Sequence, residues 1–417
     1  MVSPHHELAR TLASFDRWLT GFGETSYDHQ SFYAGTLGGA AKALYYRRPF
    51  LGLMAVSPMV FCEAFLPSAR RLFHTRMRFP IADAHYAMGY LHLYEVTGDA
   101  AYLRKGRHFL EVLQATRCPG YAEYCWGYPF DWVTRNGTIP AQTPLITTTP
   151  YVYEAFLLAR RLDPSNEWSA VLESIARHAV TDIKEFPISP NAATCSYTPF
   201  DGGGVINAAA YRAFLLTSAS RELAVPAYWE AAERNLNFVL DAQNPDGSWY
   251  YAVDGVRDFV DHFHTCFVMK ALAKIHTLTG HARTLAALDR GVAYYRANLF
   301  DADRLPKPFS RAPRLTVYKR ELYDCAECIN LCVLLRDRFP ALDGTLTTVV
   351  AAILNDWVKP DGSFRSRQLL AGWDNVPMHR WAQSQMFRSL AFSLAARRDA
   401  TVAGDQETSR PAAVLAH

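Results

Sequence analysis

The chain has no excess of charge, no long apolar run, no leader-like N-terminus and no cysteine framework, and each absence removes a class of function. Lys and Arg number 43 against 40 Asp and Glu, a formal net charge of +3 with no basic stripe, so no nucleic-acid partner is expected. Eight cysteines at irregular spacings do not form a disulfide pattern in 417 residues, and a reducing compartment is expected. The opening MVSPHHELAR lacks the charged-then-apolar order of a signal peptide, and no run is long and apolar enough to read as a membrane-spanning helix. These point to a cytoplasmic protein. Neither a Walker phosphate loop nor a dinucleotide fingerprint occurs, so no cofactor is expected; a divalent metal is left open.

What the chain does have is apolar residues, 50% of the total, and helices punctuated in a repeated way by Gly, Pro and aromatics. Residues 235–264 show it most fully. Asn235, Phe238 and Val239 continue a helical apolar face that begins near Trp229, and Asn244-Pro245-Asp246-Gly247 stops it. Ser248, Trp249, Tyr250 and Tyr251 follow, then a second turn at Asp254-Gly255. Asp261 is placed as the N-cap of the next helix, with His262 and His264 in its first turn. Asp361-Gly362-Ser363-Phe364 echoes Asp246 to Trp249, and residues 118–132 echo it more loosely.

Helices are predicted over 8–22, 31–46, 53–73 and then in pairs. Gly98 should end the helix over 83–97, and Thr149 with Pro150 should open another. Helices opening near Asp83, Thr148, Gly204, Asp261, Arg320 and Met378 look buried around most of their circumference, and their starts recur every 56–65 residues. Charged helices alternate with them. One buried and one half-exposed helix per period predicts a closed helical repeat.

The pattern resembles the (α/α)6 toroids, the six-hairpin and terpenoid-cyclase-like superfamily. Gln243, Gly247 and Trp249 resemble the Gln-Trp repeat of the cyclase and prenyltransferase-type members. The chain is also similar to toroid proteins encoded among bacterial polysaccharide biosynthesis genes. The resemblance implies an all-α (α/α)6 toroid of six inner and six outer helices over 81–398. Residues 1–80 would be an N-terminal helical extension packed on or completing it, and 399–417 a disordered tail. The Asp-x-Asp-Asp motif of hopene cyclases is absent, as are the zinc motifs of lanthionine cyclases; the zinc set of protein prenyltransferases cannot be assigned.

In such a toroid the loops entering the inner helices line one mouth, and chemistry-bearing residues gather in those loops. Asp261, His262, His264, Tyr323, Asp324 and Glu327 are the candidates for proton transfer. Asp83, His85, Trp126, Asp131, Trp132, Tyr151, Asp201, Trp249, Tyr250, Trp373, Asp374, His379, Arg380 and Trp381 are candidates for substrate binding, since aromatic faces stack on sugar rings. Each has a plainer reading. Asp83, Asp201 and Asp261 suit helix caps, and Arg380 could simply pair with Asp374. Cys325, Cys328 and Cys332 share a helical face and read as core.

A carbohydrate-active lyase, hydrolase or epimerase is the favoured expectation, acting on a bacterial exopolysaccharide or its lipid-linked precursor. Hydrolysis would use Asp261 and Glu327. Lyase or epimerase chemistry would use His262, His264 and Tyr323, with Arg380 on a carboxylate. The alternatives are an isoprenoid cyclase or transferase and a non-catalytic binding protein of polysaccharide assembly. Residues 50–66 are strongly apolar, between Arg47-Arg48 and Arg70-Arg71. They read either as a buried helical hairpin or as an interfacial element over 47–71 that meets anionic lipid at the inner membrane.

Overall fold

The computed structural model describes residues 4–163 and 168–408, with side chains from residue 6 to residue 396. The chain begins with α1 (Pro4–Phe22), followed by an insertion of α2 (Ser31–Ala34), α3 (Thr36–Arg47), α4 (Pro49–Phe65) and α5 (Arg70–Phe73). Helix pairs follow: α6 (Pro80–Thr97) with α7 (Ala100–Ala115), α8 (Thr149–Leu162) with α9 (Ser169–Thr181), and α10 (Ile206–Glu222) with α11 (Pro226–Asp241). Then come α12 (His262–Thr279) with α13 (Ala282–Asn298), α14 (Leu322–Leu335) with α15 (Ala341–Ala352), and α16 (Ser384–Thr408).

The even-numbered helices from α6 onward each pack on the next, and α16 packs on α6, so the ring closes as an (α/α)6 toroid. Helices α7, α9, α11, α13 and α15 pack outside their partners. The sixth outer position, against α16, is filled by α1. The sequence explains which helix goes where. In α10 every residue from Ile206 to Ala219 is buried, whereas α11 buries one stripe that includes Ala231, Asn235, Phe238 and Val239. A helix apolar all round must sit inside; an amphipathic one can face water. Gly98 (φ 71°) and Gly280 (φ 67°) end α6 and α12 in the left-handed conformation that glycine adopts without strain.

The loops entering inner helices carry short antiparallel strands: β1 (Trp132–Thr134) with β2 (Gly137–Ile139), and β3 (Glu185–Ser189) with β4 (Ala192–Cys195). A further pair is β5 (Val260–Asp261) with β6 (Phe309–Arg311), and β7 (Tyr318–Glu321) pairs with β8 (Arg367–Leu369), itself paired with β9 (Trp373–Asp374).

Several expectations are corrected. The helix expected over 31–46 breaks at Gly35, and the one expected over 53–73 stops at Phe65. Asp83 does not cap, because α6 starts earlier, at Pro80. Asp201 lies ahead of α10 and caps nothing; Val205 occupies the cap position. Thr148, not Thr149, precedes α8. Residues 50–66 are not a buried hairpin: α4 is one helix, and Phe50 is 79% exposed. The tail expected over 399–417 is helical to Thr408, and 409–417 lie outside the described residues.

Candidate functional site

The first turns of the inner helices and the loops before them converge at one end of the ring. Asp261 holds the best-defined arrangement there. Its Oδ1 caps α12 by accepting from the backbone N–H of His264 at 2.8 Å, and its Oδ2 lies 2.6 Å from His264 Nδ1. A carboxylate can only accept, so Nδ1 carries the proton and Nε2 is the free, basic nitrogen. No hydrogen bond engages Nε2 among the described residues. Asp261 is 2% exposed and the His264 side chain 20%, so the acid is sequestered while the imidazole reaches solvent.

Aromatic rings wall this imidazole. Tyr251 (4.7 Å) and Phe267 (5.5 Å) meet it edge-on, and Phe263 lies 4.3 Å away. Phe263 leads to Tyr323 at 5.0 Å, and Tyr323 stacks on Trp381 at 5.5 Å with an interplanar angle of 11°. Trp381 is half-buried and sits in a π-helical turn, His379–Gln383, just ahead of α16. Such turns often mark functional positions because they re-aim a side chain.

Arg380 is buried, lies 4.3 Å from the Trp381 ring centre, and is gripped by Asp28 through two bonds of 2.8 and 2.5 Å. Burial opposes its charge, yet Asp28 more than compensates and its pKa ends above the ordinary value. The plainer reading paired it with Asp374, but Asp374 binds Arg70 at 2.7 Å with both side chains fully buried. With Nε and Nη2 held by Asp28 and its charge paired there, Arg380 positions Trp381 more than it clamps a substrate anion.

Deeper, the inner helices fill the axis with charge. Lys270 pairs with Glu327, and its Nζ donates to the Tyr151 hydroxyl at 3.3 Å. Tyr151 shares a 2.5 Å hydrogen bond with Tyr211. Lys274 pairs with Glu154, and Arg388 lies 3.8 Å from the same carboxylate. His85 packs on Tyr151 at 4.6 Å, and its Nδ1 is 3.5 Å from Arg388. Burial, then Arg388, Lys270 and Lys274, push the His85 pKa well below the usual range and keep its ring neutral. Burial raises Glu154, but Lys274 and Arg388 outweigh it and leave Glu154 below the ordinary value. Burial lowers Lys274 to about 8.

Asp324 is a second unusual acid. Neither carboxyl oxygen has a hydrogen-bond partner among the described residues, and burial, followed by Glu321 and Asp261, drives its pKa well above the ordinary value. That environment favours the neutral, proton-bearing form.

The remaining sequence candidates divide. Trp132 stays half-buried on the rim, 5.6 Å from Tyr128 and 6.0 Å from Tyr197. Tyr250 lies under Arg311, and Asp131 is exposed and accepts from Ala141 N–H at 2.8 Å. The others are structural. Trp126 and Trp249 are buried and donate their indole N–H to the Leu113 and Val239 carbonyls of the preceding outer helices, at 2.8 and 2.9 Å. Asp83 pairs with Arg78 through two 3.0 Å bonds, and Asp201 accepts from the N–H groups of Tyr197, Thr198 and Gly203 to brace its loop.

His262 points between helices: its Nδ1 lies 3.2 Å from the Leu299 carbonyl and its Nε2 accepts from the Tyr295 hydroxyl at 2.8 Å. His379 is buried, with Nε2 donating to the Gly23 carbonyl (3.0 Å) and Nδ1 accepting from Tyr86 (2.5 Å). Trp373 packs edge-on against Trp357 at 4.9 Å. Cys325, Cys328 and Cys332 are buried. Among the described residues, no three His, Cys, Asp or Glu side chains gather at metal-binding spacing.

Sequence reasoning missed Lys270, Lys274, Arg388 and Tyr211. A charge in a helix apolar all round calls for a buried partner, which marks Lys270, Lys274 and Arg388, but not for a side: Arg212 of α10 turns to Glu185 and to Asn235 of α11 instead. It also missed His29, which lies 5.1 Å from Trp381 with Nδ1 unpartnered among the described residues; a lone His in a polar loop gives no such signal.

No family profile matches this chain, and no curated protein matches it in sequence. Solved structures do match in fold. A cellobiose 2-epimerase from Bacillus thermoamylovorans is 9% identical and aligns over 77% of this chain and 88% of its own, with a TM-score of 0.61. A sugar epimerase from a ruminal bacterium is 11% identical over the same shares, 77% and 88%, at 0.60. A GH76 α-mannanase from Bacteroides thetaiotaomicron is 10% identical over 78% and 88%, at 0.55. At these identities the likeness is one of fold, and it places the chain among the (α/α)6 toroids.

Proposed function

We propose that the protein is a carbohydrate-active enzyme that moves a proton on a sugar carbon, as an epimerase or lyase does, with His264 as the proton-transfer group. The observation that carries this reading is the Asp261–His264 pair. Asp261 fixes the tautomer and stabilises the imidazolium that forms when Nε2 takes a proton from a carbon next to a sugar carbonyl. In epimerisation a proton returns to the opposite face of the resulting enolate, from this imidazolium once the sugar has turned over it; in elimination the enolate expels the group on the neighbouring carbon and the imidazolium protonates that leaving group. Half-buried Trp381, held against buried Tyr323, lines the approach to His264 and offers its accessible part to the C–H groups of the sugar ring.

Hydrolysis fits less well. It needs two carboxylates flanking a bond, but Asp261 is occupied by His264, and Glu327 is fully buried on Lys270. The Asp28 grip on Arg380 favours a neutral sugar over a uronate. The expectation of an exopolysaccharide unit or its lipid-linked precursor as substrate rests on the sequence resemblance alone. An isoprenoid substrate is disfavoured by the charged axis.

The test is proton exchange. Neutral mono- and disaccharides incubated with the protein in D2O should gain deuterium at the carbon next to the carbonyl, read by NMR. His264→Gln should lower the exchange rate by about 10²–10⁴-fold, with Asp261→Asn also strongly impaired and both variants still helical by circular dichroism. Unchanged exchange in His264→Gln, or no exchange with any sugar while isoprenoid diphosphates bind, overturns the proposal.

A further inference from the structure

Among the described residues, the densest run of exposed large apolar side chains lies on α4, outside the ring. Phe50, Leu53, Met54, Phe61 and Phe65 are exposed and recur at helical spacing, so they form one outward stripe. The inward face holds Gly52, Val56 and Met59. Glu63, the helix's one charged residue, also turns inward, where it accepts from Arg367 at 2.6 Å. This inverts ordinary amphipathicity, with apolar residues facing out and the charge facing in. Beside the stripe, Val317, Leu370 and Ala371 complete an apolar groove of about 440 Å³. Leu315, 98% exposed, stands in the same loop as Val317.

The segments that carry this stripe have exposed charge of one sign. From residue 29 to residue 82 the only acid is Glu63, and the loop 304–320 has none. Arg47, Arg48, Arg71 and Arg314 are exposed. The structure thus combines an apolar stripe with a rim of arginines that no nearby acid of the same segments neutralises. We infer that this face docks on an anionic lipid surface, the stripe entering the headgroup–acyl boundary and the arginines meeting lipid phosphates. Membrane spanning is a different matter, since no described helix is long and apolar enough to cross a bilayer. A second copy of the chain fits worse: a two-fold contact through this face would bring the same arginine rims together with no acid between them.

The docking face and the catalytic mouth are mechanically joined. Arg367 binds both Glu63 of α4 and Glu321, the residue that precedes α14. Arg70 binds Asp374 in the loop ahead of α16. Those two loops lead to Tyr323 and Trp381. A docked α4 therefore sets the mouth beside the lipid surface, which suits a saccharide carried on a lipid.

Vesicle co-sedimentation tests this independently of catalysis, so its outcome is separable from that of the proton-exchange assay. The full chain is mixed with vesicles of phosphatidylcholine alone or with about one-third phosphatidylglycerol. Binding to the anionic vesicles is expected, with at least about tenfold weaker binding to the neutral ones and in ~0.5 M salt. Phe50→Asp with Phe61→Asp, and separately Arg47→Glu with Arg48→Glu, should each lower binding by about tenfold or more at unchanged helicity. The proposal is overturned if the protein ignores both vesicle types or if the charge-reversed variant binds as well as the wild type. It is also overturned if light scattering finds a dimer that Phe61→Asp dissociates while vesicles go unbound.

Discussion

At the scale of single residues, the histidines show how environment divides one side-chain type into separate roles. His264 keeps Nε2 free of hydrogen bonds among the described residues, because Asp261 takes Nδ1. His379 has both nitrogens bonded, to Gly23 and to Tyr86, in a buried aromatic box, and burial lowers its pKa from the usual 6.5 to about 4. Between those values the unfolded chain takes up a proton that the folded chain refuses. Stability therefore falls as pH drops from about 6.5 toward 4, by up to about 3 kcal/mol from this group.

Asp83 works the other way: burial raises it to about 7, so over its window, from about 7 down to the ordinary carboxylate value, the folded state holds the extra proton and acid stabilises. The two contributions oppose each other. The informative quantity is accordingly the difference between wild type and His379→Gln. Urea midpoints measured from pH 7 to pH 4 should fall less steeply in the variant, even though it starts lower at pH 7. Identical slopes would remove His379 as the source.

The same contrast shows what was legible from sequence at this scale. Asp261 was readable as a cap, and the cap geometry brought His264 with it. Arg380 and His379 were readable as chemically capable groups. That His379 is fully bonded and Arg380 charge-paired was not readable, because their partners Gly23 and Asp28 lie more than 350 residues away.

At the scale of elements, the unit is an outer helix, a turn and a tryptophan or phenylalanine tucked against the next pair. Trp249 is fixed by its indole bond to Val239. Gln243 bridges the unit to its neighbour by donating to the Gly247 and Ala287 carbonyls at 3.0 and 2.9 Å. The ring rests on Gly291 of α13, where a Cβ would come 2.9 Å from Trp249 Cζ3 and 3.1 Å from Met269 Sδ.

Gly→Ala inside a helix ordinarily gains up to about 1 kcal/mol. Here the ring cannot retreat, and overpacking of about 1–3 kcal/mol should win. Gly291→Ala is expected to lower Tm, whereas Gly344→Ala in α15, where a Cβ meets nothing within 4 Å, should hold or raise it. If both raise Tm, the ring has more freedom than its indole bond implies. The Trp249 turn was legible because Gln, Gly and Trp recur as a pattern. The strands were not, since two to five residues carry too little alternation to read. Residues 50–66 were legible as apolar, but the face they present depends on α3 and on the Arg367 pair, which no local pattern reports.

At the scale of the molecule, the ring is closed by its two ends. Helix α1 supplies the outer layer for α16, and Phe15, fully buried, stacks on Phe364 and on Phe387 at 5.1 Å each, with interplanar angles of 24° and 23°. An open helical array is stabilised mainly by nearest neighbours and can lose an end repeat alone. A closed one cannot, because α6 and α16 each cover the other, and α1 covers their seam. The period of the inner helices announced the repeat, but which segment fills the sixth outer place was left open by the sequence, since α1 precedes its partner by nearly the whole chain.

Closure makes a specific demand on Phe15→Ala. The cavity should cost about 3–5 kcal/mol, as a large aromatic deletion does, and the loss should be global. Urea unfolding followed by tryptophan fluorescence and by circular dichroism should shift together, as one transition with an unchanged slope. An early phase confined to part of the signal would mean that α1 detaches alone and that the ring stands without it. Coincident curves would mean that the mouth, built from loops on both sides of the seam, exists only while the two ends of the chain are joined.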